Sequence, residues 1–306
     1  MKEYYPEGTL IATDENRKYL TDVTSLQLAK SQGTIIEAVV VMCDAQHNLI
    51  VDLGSMRGVI PRKQGAIGIA EGLTRDIALI SRVGRPVAFV ITDFKTDESG
   101  TEYAELSRCK AQQLCMNHII ANVNVGDIID ARITHLESFG AFCDIGCGNV
   151  ALLPIDSISV SRISHPKDRF VVGDNIKAIV KKIEDNKITL SHKELLGTWE
   201  QNAALFCQGQ TVSGVVRSIE SYGVFVELTP NLAGLAEPKE GVKVGQCASV
   251  YIKSIIPEKM KIKLIIIDNF DTECDYTYDY FYTGEHIDGF VYSPEICNKQ
   301  ISTFFD

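Results

Sequence analysis

V-G-D-I-I-D-A-R-I-T-H-L-E-S-F-G-A-F-C-D-I-G-C-G-N-V-A-L-L-P runs from Val125 to Pro154, and a second version of it runs from Gln208 to Pro238 as Q-G-Q-T-V-S-G-V-V-R-S-I-E-S-Y-G-V-F-V-E-L-T-P-N-L-A-G-L-A-E-P. In each, an apolar run with rough alternation leads to Glu-Ser-aromatic-Gly, then Ala-Phe or Val-Phe, and after an acidic-apolar pair to a small-Leu-apolar step. Two ordered copies of one pattern make an internal repeat.

The repeat reads as strands. Ile128 to Leu136 and Val212 to Ile219 carry β-branched residues with partial period-two spacing, which suits a pleated, half-buried surface. Gly140 and Gly223 fall between two aromatics, as expected at a bulge or tight bend in a curled sheet. Downstream, Val172-Gly173 opens an apolar strand to Ile183, and Val244-Gly245 opens one to Ile255. A polar turn then leads to a last strand, Lys187 to Ser191 or Lys261 to Ile267. Five short strands in about 60 to 70 residues predict a small barrel or sandwich.

Val-Gly at the first and fourth strands, F-G-A-F or Y-G-V-F, the Leu-containing step and I-T-L-S-H-K-E together resemble the S1 RNA-binding domain family, the OB-fold repeat named after ribosomal protein S1. A weaker third copy lies upstream: Gln32-Gly33, Ile35 to Met42, V-D-L-G at Val51 and G-V-I-P at Gly58 repeat the order, with His47 and Ile50 at the positions of Phe139 and Phe142. The resemblance covers about Gly33 to Asp268 and implies an all-β array of three tandem five-stranded OB-fold barrels joined by short helical linkers. The expected divisions are an arm at 1–32, barrels at 33–108, 124–195 and 208–268, and an acidic, aromatic C-terminal segment at 269–306. The linkers read as Leu106 to Ile120 and Glu194 to Phe206, rich in good helix formers. The second holds Trp199, the single tryptophan, expected to anchor linker to barrel.

The net charge of −10 is concentrated at one end: from Asp268 to Asp306 nine acidic residues face one basic residue, Lys299. The barrels are close to neutral, so moderate, salt-sensitive binding to nucleic acid is expected. In the C-terminal segment Tyr276, Tyr278, Tyr280 and Tyr282 alternate. Two readings stand open there. The segment folds against the third barrel, or its acidic and aromatic groups occupy an RNA groove or dock on a protein. The first barrel has an insertion, Arg62 to Arg85, with five basic residues. It reads either as a contact for phosphate or a ribosomal surface, or as a solvated helix whose arginines pair with Glu71 and Asp76.

Single strands are held on OB surfaces by rings that stack on bases and cations that follow phosphates. Phe139, Phe142, Tyr222 and Phe225 occupy the positions where the resembled family carries stacking aromatics. Lys187 and Lys261 stand at its basic hairpin position, and Arg169, in S-H-P-K-D-R-F with His165 and Lys167, is a further cationic candidate. Arg132 and Arg217 on the first strands are others. The family's histidine after the Leu step is absent, with Pro61, Pro154 and Glu237 in its place.

No phosphate-binding glycine loop, zincin motif or nucleophile elbow occurs, so a non-enzyme without cofactors is expected. The nine cysteines show no C-x-x-C spacing and are expected to be reduced and mostly packing. The opening M-K-E-Y-Y-P-E-G-T-L lacks an apolar signal region, and a soluble, cytoplasmic protein with no membrane contact is expected. The resemblance implies single-stranded RNA, messenger RNA above all, as partner, with the ribosome or another protein engaged through the first barrel or the tail. The alternatives are a protein-interaction scaffold of degenerate repeats, or an RNA-binding adaptor for ribonuclease or transcription machinery.

Overall fold

The computed structural model describes residues 4–272 and 279–305. Tyr276 and Tyr278 of the alternating tyrosines lie outside the described residues. Two compact units emerge: Met1–Val123 with Asp130–Arg132 and Asp144–Val150, and Asn124–Ile129 with Ile133–Cys143 and Ala151–Asp306.

In the first unit an arm leads to helices α1 (Asp14–Tyr19) and α2 (Val23–Gln32), the latter capped by Asp22, whose carboxylate accepts from Ser25 N at 2.8 Å. Five strands follow, β1 (Ile36–Cys43), β2 (Leu49–Asp52), β3 (Arg57–Ile60), β4 (Pro86–Thr96) and β5 (Glu102–Ser107), closed in the order β1-β2-β3-β5-β4. Their alternating inward residues, among them Leu49, Val51, Ile60, Phe89 and Leu106, are fully buried. This is the barrel closure that leaves no free sheet edge. The insertion between β3 and β4 is mostly irregular, with one short helix, α3 (Ile77–Ile80). Arg62 pairs there with Asp76 at 2.7 Å, while Arg82 approaches Glu7 at 3.4 Å. The connector helix α4 (Arg108–Asn122) follows β5 directly.

The arm is fastened by buried charge. Glu7 Oε1 accepts from Arg108 Nε at 2.6 Å and Oε2 from Arg108 Nη2 at 2.9 Å, with both side chains buried. The Glu7 amide donates to Asp144 at 2.7 Å, and Gly8 N and Ile11 N donate to the Glu37 carboxylate at 3.1 and 3.0 Å. Burial outweighs those hydrogen bonds and pushes Glu37 up to about 7.

The second unit holds most of a barrel built from β6 (Ile128–Glu137), β7 (Gly140–Asp144), β8 (Val150–Pro154), β9 (Asn175–Glu184) and β10 (Lys187–Ser191), ordered β10-β8-β7-β6-β9. Read as a ring, this is the connectivity of the first barrel. A short helix, α5 (Trp199–Ala203), leads to the third barrel: β11 (Thr211–Glu220), β12 (Gly223–Thr229), β13 (Leu232–Ala236), β14 (Cys247–Ile256) and β15 (Lys261–Phe270), ordered β11-β12-β13-β15-β14. The C-terminal segment ends in a small hairpin, β16 (Gly289–Val291) with β17 (Ser302–Phe304). Its Ile287, Phe290, Tyr292 and Phe305 join a single core with Trp199, Leu195 and the interior of the third barrel. Trp199 is 3% exposed, and its amide donates to Tyr292 O at 3.0 Å.

One expectation needs correction here. Cys247 is disulfide-bonded, whereas reduced cysteines are expected from the sequence; among the described residues seven others carry no disulfide. Gly140 and Gly223 each open the strand after a two-residue turn, the tight bend that was one of their two expected places, and the β11–β12 register shift falls elsewhere, between Val216 and Ser218. Both glycines also serve close approach. A Cβ on Gly140 would stand 2.5 Å from Leu153 O, and one on Gly223 2.5 Å from Ala236 O, so neither strand could close on its neighbour with a side chain there.

Candidate nucleic-acid interface

The hairpin geometry decides where the aromatics point. β6 and β7 are joined by the two-residue turn 138–139, and β11 and β12 by the turn 221–222, so Phe139 and Tyr222 sit at turn tips rather than on strands. They are 55% and 64% exposed. Three residues on, strand alternation buries Ala141 and Cys143, or Val224 and Val226, and turns Phe142 and Phe225 to the outside of the barrel. Both rings of each pair therefore lie outside the core. Phe139 and Phe142 meet edge to face with centroids 5.9 Å apart, and Tyr222 and Phe225 do the same at 6.2 Å. His135 extends the first pair, stacked on Phe142 at 6.3 Å, and sequence reading had missed it. Its position two residues before Glu137, whose carboxylate it meets at 2.8 Å, gave no periodic signal.

The cations distribute unevenly. Across the third barrel Phe225 pairs with Leu235 and Leu235 with Lys263, one outward row of ring, apolar residue and ammonium. Lys261 and Lys187 are exposed at the starts of their strands. Lys182 is engaged with Glu184 at 2.6 Å, and Glu237 pairs with Lys253 at 3.4 Å. In the first barrel the corresponding row is Ile50, Val59 and Glu105, with Glu105 held by Lys95 at 2.8 Å. That row has neither ring nor free ammonium.

Arg169 is elsewhere. Its side chain is 0% exposed and its guanidinium grips Glu227 of the third barrel through both terminal nitrogens, Nη1 to Oε1 at 2.7 Å. A guanidinium sealed inside protein has no path to a phosphate, so its expected place at an RNA groove is corrected to an interior one. Arg217 joins the same carboxylate at 3.1 Å. Lys167 stays exposed, and His165 caps the short turn before Arg169.

The C-terminal segment meets the second barrel at the start of β6, the end of that strand away from the aromatic hairpin. Ile128 N donates to Glu285 O and Ile287 N to Gly126 O, both at 2.9 Å, and His286 Nδ1 meets Asp127 at 2.5 Å. The two neighbouring carboxylates, Asp127 and Asp288, raise the His286 pKa. Among the described residues no cluster of potential metal ligands occurs, and no helix is long and apolar enough to cross a membrane.

Comparison with known proteins fits this geometry. The family model of the S1 RNA binding domain matches residues 122–193, the second barrel. The small ribosomal subunit protein bS1 of Leuconostoc lactis is 27% identical over 259 residues, covering 78% of this chain and 57% of that protein. The bS1 homolog of Bacillus subtilis is 27% identical over 227 residues, with 72% and 56% covered, and bS1 of Staphylococcus epidermidis is 28% identical over 259 residues, with 79% and 63% covered. The chain thus spans less than two thirds of the length of these relatives. A solved structure from Streptococcus pneumoniae, described as a multidomain protein with nucleic acid binding domains, aligns over 77% of this chain and 74% of its own at 15% identity with a TM-score of 0.25, a likeness too faint to inform the fold. Three barrels share one connectivity, the second matches the S1 RNA binding domain, and along most of its length the chain is similar to bS1.

Proposed function

We propose that this protein binds single-stranded RNA without catalysing a reaction, and that barrels two and three make the base contacts. The observation that carries the reading is the recurrence of one edge-to-face aromatic pair, outside the core, at the same hairpin of two barrels. Phe139, Phe142, Tyr222 and Phe225 supply stacking faces, while Lys187 and Lys261 follow the phosphates. Stacking contributes about 1–3 kcal/mol per base and tolerates any sequence, so affinity is broad and sequence preference slight.

The S1 match and the bS1 relatives support a role in translation, on messenger RNA and in contact with the ribosome, in the cytoplasm. For the first barrel we infer docking to protein, because Ile50, Val59 and Glu105 stand where a stacking row would be. The test is titration of a fluorescent RNA of about 20 nucleotides at two salt concentrations with wild type and with the double substitution Phe142→Ala, Phe225→Ala. The double variant should lose about 2 kcal/mol or more. Absence of wild-type binding at low salt overturns the reading.

A further inference from the structure

Arg169 and Glu227 are the centre of an interface that no RNA contact explains. The guanidinium comes from the loop between β8 and β9 of the second barrel, and the carboxylate from β12 of the third; both side chains are fully buried. Arg169 Nη2 also donates to Ser159 Oγ at 3.3 Å, and Arg217 of β11 closes on the other side of the carboxylate and reaches Asp168 O at 3.4 Å. Beside this cluster, the turn between β12 and β13 is inserted into the second barrel and its linker. Asn231, 0% exposed, accepts from Val160 N at 3.0 Å and donates to Lys193 O at 2.7 Å and Gly197 O at 2.9 Å. Ser161 N donates to Pro230 O at 3.2 Å, and Tyr292 of the C-terminal segment donates to Asn231 O at 2.5 Å.

Burying a charge pair returns little net stability, because desolvation offsets most of the attraction. What such a pair does enforce is geometry: a shift of one barrel against the other strands a charge in a dry interior, and each hydrogen bond of Asn231 would break with it. Two barrels joined only by a connector would sample many separations, and an RNA bridging them would meet an effective concentration spread over those separations.

We propose that Arg169 and Glu227 are positioning residues for RNA binding, locking barrels two and three into one body that holds the two aromatic pairs at a fixed separation. The inference rests on the RNA-binding reading above and adds a substrate requirement: a single strand long enough to reach both pairs. RNA shorter than that engages one barrel at a time, and the gain on reaching the second is sharp.

The test uses the full chain and three probes: hexauridine, eicosauridine, and two hexauridines joined by polyethylene glycol spacers of increasing length. Wild type should bind the eicosamer on the order of 100-fold more tightly than the hexamer. The joined hexamers should show one narrow optimum of spacer length. In Arg169→Met, Arg217→Met, Glu227→Leu, which replaces the two guanidinium groups and the carboxylate they share by apolar side chains and is expected to keep the fold, hexamer affinity should stay within about twofold, and the eicosamer gain should fall about tenfold as the spacer optimum flattens. A folded variant that keeps the full gain overturns the inference and leaves the RNA reading standing. A flat spacer profile in the wild type does the same without any variant. If wild type binds neither uridine probe at low salt, both fall together.

Discussion

Tyr222 and Phe225 stand edge to face at 90°, one on a hairpin tip and the other on the strand that follows, with Gly223 between them giving up its side chain so that β12 and β13 can close. One ring is thus offered by turn geometry and the other by strand alternation. Since neither contributes to the barrel core, removing either should affect binding and spare stability. Tyr222→Phe is expected to keep RNA affinity within about twofold, and Tyr222→Ala to cost about 1 kcal/mol or more. Ile50→Ala, at the position in the first barrel that corresponds to Phe142, should leave affinity unchanged. Fluorescence anisotropy with a labelled single strand, alongside thermal unfolding, reads both properties.

Phosphate contact has its own signature. If Lys187 and Lys261 each neutralise one phosphate, Lys187→Gln and Lys261→Gln should each reduce the slope of log affinity against log salt by about 0.7, and the two reductions should add. Lys182→Gln should change it less, because that ammonium already lies 2.6 Å from Glu184. Equal slopes for wild type and the Lys187, Lys261 double variant would remove both lysines from the interface.

Acid should strengthen the first unit. Glu37 titrates near 7 in the folded protein against 4.5 for an ordinary glutamate, because burial penalises its charge. Between those values the native state holds a proton that the unfolded chain has released, so stability is highest below about 4.5 and declines as pH rises to about 7. The shift corresponds to roughly 3 kcal/mol at full effect. Denaturant unfolding of the wild type at pH 5.5 and 8 should show this decline, and Glu37→Gln should flatten it. A wild-type profile that rises over the same interval would refute the assignment.

Truncation of the C-terminal hairpin separates its two readings. Deleting residues 289–305 removes Phe290, Tyr292 and Phe305 from the core around Trp199. At about 1.5–3 kcal/mol for each large side chain buried, the second unit should be destabilised by several kcal/mol, and Trp199 emission should shift to the red. RNA affinity of the folded fraction should not increase. A clear increase would mean that the segment competes with RNA after all.

Much of this was legible in the chain. The order of Val-Gly, aromatic-Gly-aromatic and Leu step suggests strand, hairpin and strand through local rules of alternation and turn length; it left barrel or sandwich open, and the resemblance to the S1 family implied the three barrels that are observed. Phe139, Phe142, Tyr222 and Phe225 are singled out because they match the positions where the resembled family carries aromatics, and their place at a hairpin tip and on the next strand follows from turn length and alternation. Arg169 could not be placed that way. In S-H-P-K-D-R-F it looks like one more loop cation, and its partner Glu227 lies 58 residues further on. Arg217 was misleading for the same reason.

The sequence by itself determined a strand repeat in three copies and which hairpins carry rings, since strand period, turn length and the glycine requirement act between near neighbours, while the OB barrel came from the family resemblance. Only the tertiary structure decided which charges meet solvent and which are sealed away. It turned Arg169 and Arg217 inward onto one carboxylate, fastened the N-terminal arm through Glu7 and Arg108, and folded an acidic tail into the core around Trp199. The reason is physical: burial and ion pairing depend on what distant segments bring to the same place, and no periodicity within a segment encodes that.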